Sequence, residues 1–150
     1  MNARELMIGD LVMAHYNDGE TQCEFPAVVI AVFTDRLLCN DGIQIKSISS
    51  EYSGCEEECI NIEPIQITHE ILEKNLKFVT ANQYRVVFRL YITENDCIQY
   101  TKYTTESERS NELMVYINGS AVSVHVRYVH ELQHVLRVCG LNDFADNFKI

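Results

Sequence analysis

Nowhere in the 150 residues does an apolar run approach the roughly 20 consecutive positions that a membrane-spanning helix requires. The opening Met1 to Asp10 also lacks the apolar core and small-residue site of a secretory leader. Bases are scarce: 12 Lys and Arg stand against 22 Asp and Glu, for a formal net charge of -10. A surface this negative repels phosphate backbones unless its few bases are gathered in one patch. Arg85 and Arg89 share one face of a strand-like segment, which makes a small spot and not a track. Neither a nucleic-acid partner nor a membrane is therefore expected. Missing too are a G-x-G-x-x-G turn and a Walker sequence, and with them the usual supports for nucleotide binding. No low-complexity tract or internal repeat is present.

What remains is an ordinary globular composition, 47% hydrophobic and 23% charged. A chain of this length suits one compact domain, or two small units, and buries about two-thirds of its unfolded surface. Six cysteines (Cys23, Cys39, Cys55, Cys59, Cys97, Cys139) are expected as free thiols of a cytoplasmic protein rather than as disulfides.

The first half reads as short strands and tight turns. Leu6 to Met13 places a Gly9-Asp10 turn before an apolar strand, and Asn17-Asp18-Gly19 turns the chain. Phe25 to Phe33 is rich in β-branched residues, with Pro26 near its start. Leu37 to Cys39 and Ile43 to Ile48 flank Asn40-Asp41-Gly42, a hairpin signal because these residues accept positive φ at low cost. Ser49 to Cys59 reads as an acidic loop, Ile60 to Ile62 as a last strand, and Pro64 as its end. Thr68 then N-caps a helix running to about Lys77.

The second half alternates more cleanly. Tyr84 to Ile92 sets Tyr84, Val86, Phe88, Leu90 and Ile92 on one face of a strand. Cys97 to Thr104 and Leu113 to Ile117 follow, and Asn118-Gly119 closes a hairpin onto a strand with Val122, Val124 and Val126 on one face. Tyr84, Tyr91, Tyr100, Tyr103, Tyr116 and Tyr128 fall on or beside these strands, as strand formers commonly do. The fold class predicted is α+β: an N-terminal SH3-like small antiparallel β-barrel over residues 1–64, then an α+β unit over 65–150 whose antiparallel sheet is covered by a C-terminal helix.

That helix, Val129 to Cys139 with Gly140 as its left-handed cap, carries the loudest chemical pattern. His130-Glu131-Leu132-Gln133-His134 matches H-E-x-x-H, which sets two imidazoles on one helical face to share zinc while the Glu acts as general base. His130 and His134 are thus candidate metal ligands and Glu131 a candidate catalytic base. Against this, a third protein ligand is needed, and the 16 residues after His134 offer only Asp143 and Asp146. Arg137, one turn on, opposes a divalent cation. The expectation is a solvated polar face, with Val129, Leu132, Val135, Leu136 and Cys139 packing on the other. Cys55 and Cys59, with Cys23 or Cys39, form a second candidate, a structural zinc site, weakened by the acids Glu56 to Glu58 between them. No cofactor is expected.

Three stretches together, Leu6-Met7-Ile8-Gly9-Asp10-Leu11-Val12, Glu63-Pro64-Ile65-Gln66-Ile67-Thr68 and Tyr128-Val129-His130-Glu131-Leu132-Gln133, resemble a group of small proteins of anaerobic gut bacteria, their phages and mobile elements. In that group the position of His134 is usually Asn, so the resemblance implies a structural helix in which H-E-x-x-H arose by drift. It supplies no activity.

The reading expected is a non-enzymatic protein-interaction module with an unknown protein partner. Its alternatives are a zinc-dependent hydrolase using His130, Glu131 and His134, and an acidic inhibitor mimicking nucleic acid. The latter wants acids spaced along one face, whereas these gather at 56–58 and otherwise scatter.

Overall fold

The computed structural model describes residues 5–17, 22–35, 40–48, 56–58, 61–103 and 111–150. The chain is α+β, with mostly antiparallel sheet and few helices, and it divides into two compact units: residues 1–66 with 128–147, and residues 67–127 with 148–150. Among the described residues no helix is long and apolar enough to cross a membrane.

The first unit holds β1 (Leu11–Asn17), β2 (Gln22–Asp35), β3 (Asn40–Ser47), β4 (Glu56–Glu58) and β5 (Ile62–Pro64) in one sheet of order β4-β3-β2-β1-β5. The end strands β4 and β5 are three residues each, and no pairing among the described residues joins them, so the order is that of an open sheet. Period-2 alternation puts Val12, Ala14, Phe25, Ala27, Val29, Ile43, Ile45 and Ile62 into one apolar cluster. Burying those side chains supplies the driving force for the sheet.

Two local expectations give way here. Asn40-Asp41-Gly42 does not turn the chain: Phe33 pairs with Gly42 and Asp35 with Asn40, so the ladder runs on through it. Turn residues permit a turn, but the register of a 14-residue β2 decides where it falls. Glu56 to Glu58, read as loop, forms β4 against Gln44, Ile45 and Lys46. The Asp18-Gly19 turn, the Leu37 to Cys39 strand and Cys39, Cys55 and Cys59 lie outside the described residues.

The second unit begins with α1 (His69–Asn75). The Thr68 hydroxyl caps it as expected, accepting from the Ile71 amide at 3.2 Å. Leu76 takes an extended conformation, ending the helix before Lys77. A five-strand meander follows: β6 (Lys77–Ala81), β7 (Arg85–Tyr91), β8 (Cys97–Tyr103), β9 (Asn111–Ile117) and β10 (Ser120–His125), in the order β10-β9-β8-β7-β6. Every neighbour is a sequence neighbour, so each pair forms locally. Phe88, Ile98, Tyr100 and Leu113 are fully buried. The alternation from Tyr84 to Ile92 marks the strand but not its buried face: Phe88 is buried as expected, Tyr84 is 61% exposed, and Val87, from the other face, is buried beside Phe88. β6 escapes sequence reading because all five of its residues are exposed, and a solvated strand leaves no apolar alternation. At the far end, Asn75 Nδ2 donates to the Lys149 carbonyl at 2.7 Å and Lys149 N to Asn75 Oδ1 at 2.8 Å, fastening the chain end to α1.

The last long helix, α2 (Val129–Val138), corrects the predicted architecture. It belongs to the first unit, where it packs against β1 and the short α3 (Asn142–Asp146), and not to the unit that holds the second sheet. The physical reason is polar as well as apolar, and it lies in the face that carries the histidines.

Candidate functional site

Gly9 adopts φ +91°, a conformation that only glycine takes without strain, and this lets the chain turn sharply ahead of β1. The turn is pinned to β2: Gly9 N donates to the Val29 carbonyl at 2.8 Å, and Val29 N to the Asp10 carbonyl at 2.9 Å. The Asp10 carboxylate is thereby held at a fixed position, fully buried. Its Oδ2 accepts from the Met7 amide at 2.8 Å.

α2 enters with Val129 N donating to the Ile65 carbonyl at 2.9 Å, beside a bridge between Gln66 and Tyr128. Glu131 Oε2 accepts from the Tyr128 amide at 3.1 Å, the carboxylate half of a capping box. Gly140, at φ +78°, closes the other end in the expected way, with Leu141 N donating to the Leu136 carbonyl at 2.9 Å.

The side chains between these caps converge on the Gly9-Asp10 turn. His134 Nε2 lies 2.7 Å from Asp10 Oδ2, and Arg137 Nη1 donates to Asp10 Oδ1 at 2.6 Å. Arg137 also reaches Asp146, Nη2 to Oδ1 at 3.1 Å. Gln133, only 1% exposed, accepts from the Leu11 amide at 2.9 Å and donates to the carbonyls of Gly9 at 3.1 Å and Ala145 at 2.8 Å. His130 is 5% exposed, stacked on Tyr128 with centroids 5.8 Å apart and edge-on to His134 at the same distance. Its Nδ1 is buried with no partner among the described residues. Burial pushes the imidazole below its usual pKa, against weaker opposing pulls from Asp10 and Glu131, so His130 is held neutral.

The expected solvated face is thus overturned. Sequence periodicity found the apolar arc of α2, yet the polar residues beside it are packed as well, because Asp10 and the turn amides satisfy them. Val138 is the residue of α2 left in water, at 88% exposed. Sequence reasoning missed Asp10, Gln133 and Arg137 as one constellation. The available cue was Gly-Asp before a strand together with Gln-His-x-x-Arg on a helix, although the 122 residues between Leu11 and Gln133 hide it from any local window.

Chemically, an Asp–His pair at 2.7 Å orients an imidazole as a hydrolase triad does. The partners of the pair are the Arg137 guanidinium and the Met7 amide, both on Asp10. For zinc, His134 would present an Nε2 already taken by Asp10, and Asp10 itself is saturated by Arg137 and Met7. Among the described residues no three His, Cys, Asp or Glu side chains come together as a ligand set. Glu131, the candidate base, is bonded to the backbone of Tyr128. Of the thiol candidates, Cys23 is a partly buried free cysteine at the edge of the apolar cluster.

A concavity lies on the second sheet, where β7 turns into β8. It is a cleft of about 320 Å³ lined by Arg89, Tyr91, Cys97 and Tyr116 and rimmed by Glu94 to Asp96. Asp96 is committed to the fold, accepting from the Asn118 amide at 2.9 Å and the Thr93 hydroxyl at 3.1 Å. Arg89 donates from Nε to Gln99 Oε1 at 2.9 Å. The cleft offers a cation and phenol rings but no paired acid and base.

Compared with protein-family models, with curated proteins and with solved structures, the chain matches none.

Proposed function

We propose that the chain is a non-catalytic, cytoplasmic protein-interaction module whose first unit is an SH3-like frame. The observation that carries this reading is that the groups best suited to chemistry are engaged in structure: Asp10, Gln133, His134 and Arg137 fasten α2 to the Gly9-Asp10 turn, and Glu131 accepts from the Tyr128 amide in the cap of its own helix. Support for the SH3-like frame comes from the strand order: a meander β1 to β4 with β5 returning beside β1. The charge of -10 suits protein partners better than nucleic acid. The exposed Phe78, Tyr84, Tyr91 and Val122 of the second unit supply apolar contact area.

Membership of the gut-bacterial and phage-associated group belongs to the same proposal. It is supported by the meeting of the three motifs that carry the likeness: Gly9-Asp10, Ile65-Gln66 and the helix from Tyr128 join at one place in the first unit.

Two measurements test the functional reading. The first is metal analysis of protein purified without chelator or nickel resin, paired with a hydrolase screen, on wild type and His134→Ala. Little zinc, no turnover and a variant that loses only stability are expected; stoichiometric zinc with a hydrolysis that His134→Ala abolishes would overturn the module. The second is affinity capture with wild type and with a Phe78→Glu, Tyr91→Glu variant that stays folded. A partner held by the first and lost by the second is expected.

A further inference from the structure

His130 is the buried titratable group that the fastening of α2 leaves over. Asp10, Gln133, His134 and Arg137 each end on a partner at the Gly9-Asp10 turn, whereas His130 Nδ1 is buried with no hydrogen-bond partner among the described residues. The ring lies 5% exposed between the Tyr128 face and the His134 edge, each 5.8 Å away. A neutral imidazole suits that place, because one of its nitrogens carries no hydrogen and Nδ1 can be that one. An imidazolium does not. Both of its nitrogens donate, and the N–H at Nδ1 then has no acceptor, which carries the full penalty of an unsatisfied buried donor.

The groups that face His130 do not relieve this. Asp10 comes from the turn, Glu5 from the chain ahead of it, and Glu131 and His134 from α2 itself. The three carboxylates draw a proton toward the ring and His134 opposes it, but burial outweighs the acids. Asp10 is already taken up by the Met7 amide, His134 and Arg137, and Glu131 Oε2 by the Tyr128 amide. With His134 Nε2 on Asp10, the two imidazoles do not share a metal ion either.

We propose that α2 and α3 form an acid-released clasp: a proton on His130 undocks Tyr128–Asn147 from the Gly9-Asp10 turn while the second unit stays folded. The two helices move together because Gln133 Nε2 on α2 donates to the Ala145 carbonyl on α3 at 2.8 Å. Arg127 and Phe148, the residues flanking the segment, belong to the second unit, so a released clasp stays tethered at both ends. Release uncovers Leu132, Leu136 and Ala145, which are fully buried when the clasp is docked. An apolar surface is thus presented in mild acid and withdrawn at neutral pH, the range over which histidine changes charge. The released form binds the proton and the docked form does not. Release therefore grows as pH falls from about 6.5 toward the lowered folded value, by up to about tenfold per pH unit for one proton.

The test is hydrogen exchange of the full chain read by mass spectrometry from pH 7.5 to pH 5, with protection corrected for the intrinsic exchange rate. Amides of residues 129–146 should lose up to about tenfold protection per pH unit below about 6.5, while those of β7 and β8 keep theirs. His130→Phe, which has nothing to protonate, should hold α2 closed at pH 5. If His130→Phe fails to fold, His130→Leu takes its place, and the order of opening in wild type still decides. Equal protection of α2 at pH 5 and pH 7.5, loss of α2 and the second sheet at the same pH, or a folded His130→Phe that opens like wild type would overturn the clasp. Each of these outcomes leaves partner capture by the second unit untouched.

Discussion

Arg137 of the first unit and Arg89 of the second are the same side chain in opposite circumstances. The Arg137 side chain is 11% exposed and bridges the carboxylates of Asp10 and Asp146, while Arg89 is half-buried on its sheet, with Gln99 and Tyr91 as its partners. In the first unit the polar side chains of α2 are turned inward and fix where the helix docks; in the second, Phe88, Tyr100 and Thr101 are buried, while Phe78, Tyr84 and Tyr91 are left where another molecule can reach them. A buried polar group is tolerated only when satisfied, so an inward set such as Gln133 with three partners specifies one docking geometry and no other.

The sharpest way to break that comparison is Asp10→Ala. Asp10 is fully buried, and its loss strands Arg137 and His134 against an empty site, so a loss of about 3–5 kcal/mol is expected in urea unfolding. Asp146→Ala removes the other partner of Arg137 from a position 56% exposed, and should cost less than about 1 kcal/mol. Equal losses from the two would mean that the Asp10 network does not fasten α2.

Next in size are the two turns that need positive φ. Gly119→Ala meets nothing within 4 Å and should cost about 1–2 kcal/mol from the left-handed backbone alone. Gly9→Ala adds a Cβ 2.7 Å from Arg137 Nη2 at φ +91°. The guanidinium must move, loosening its bond to Asp10, so the loss should exceed that of Gly119→Ala. Thermal melts of the two variants side by side decide this.

A third test uses pH. His130 is neutral in the folded protein because burial lowers its pKa, whereas in the unfolded chain it titrates near 6.5. Between those two values the unfolded state binds more protons, so stability must fall as pH drops from about 6.5 toward the lowered folded value, and must level off below it. His130→Phe keeps an aromatic ring against Tyr128 and should flatten that part of the Tm-against-pH curve. An unchanged slope would place the acid sensitivity elsewhere.

Much of the fold is legible in the sequence where a signal is local. Thr68 caps α1, Asn118-Gly119 turns β9 into β10, Gly140 ends α2, and the alternation from Tyr84 to Ile92 yields β7. Each of these is decided within a few residues. The failures are non-local. Asn40-Asp41-Gly42 has turn chemistry but lies in a ladder whose register is set by β2. The polar face of α2 looks solvated until Asp10, more than a hundred residues away, is brought beside it. Helical periodicity reports which residues share a face, and only the partner determines whether that face is wet.

The smallest effect expected is the most direct check on the pair of arginines. Arg89→Leu removes the hydrogen bonds to Gln99 and Tyr91 from a half-buried side chain that carries no ion pair with a buried carboxylate, and should cost less than about 1 kcal/mol. Arg137→Leu leaves Asp10 buried with an uncompensated charge and should cost several times more. Urea unfolding followed by hydrogen exchange at the α2 amides resolves the two: α2 should open in Arg137→Leu and keep wild-type protection in Arg89→Leu. If Arg89→Leu proved as costly as Arg137→Leu, the second sheet face would be part of the structural frame, and the surface assigned to partners would have to be sought elsewhere on the chain.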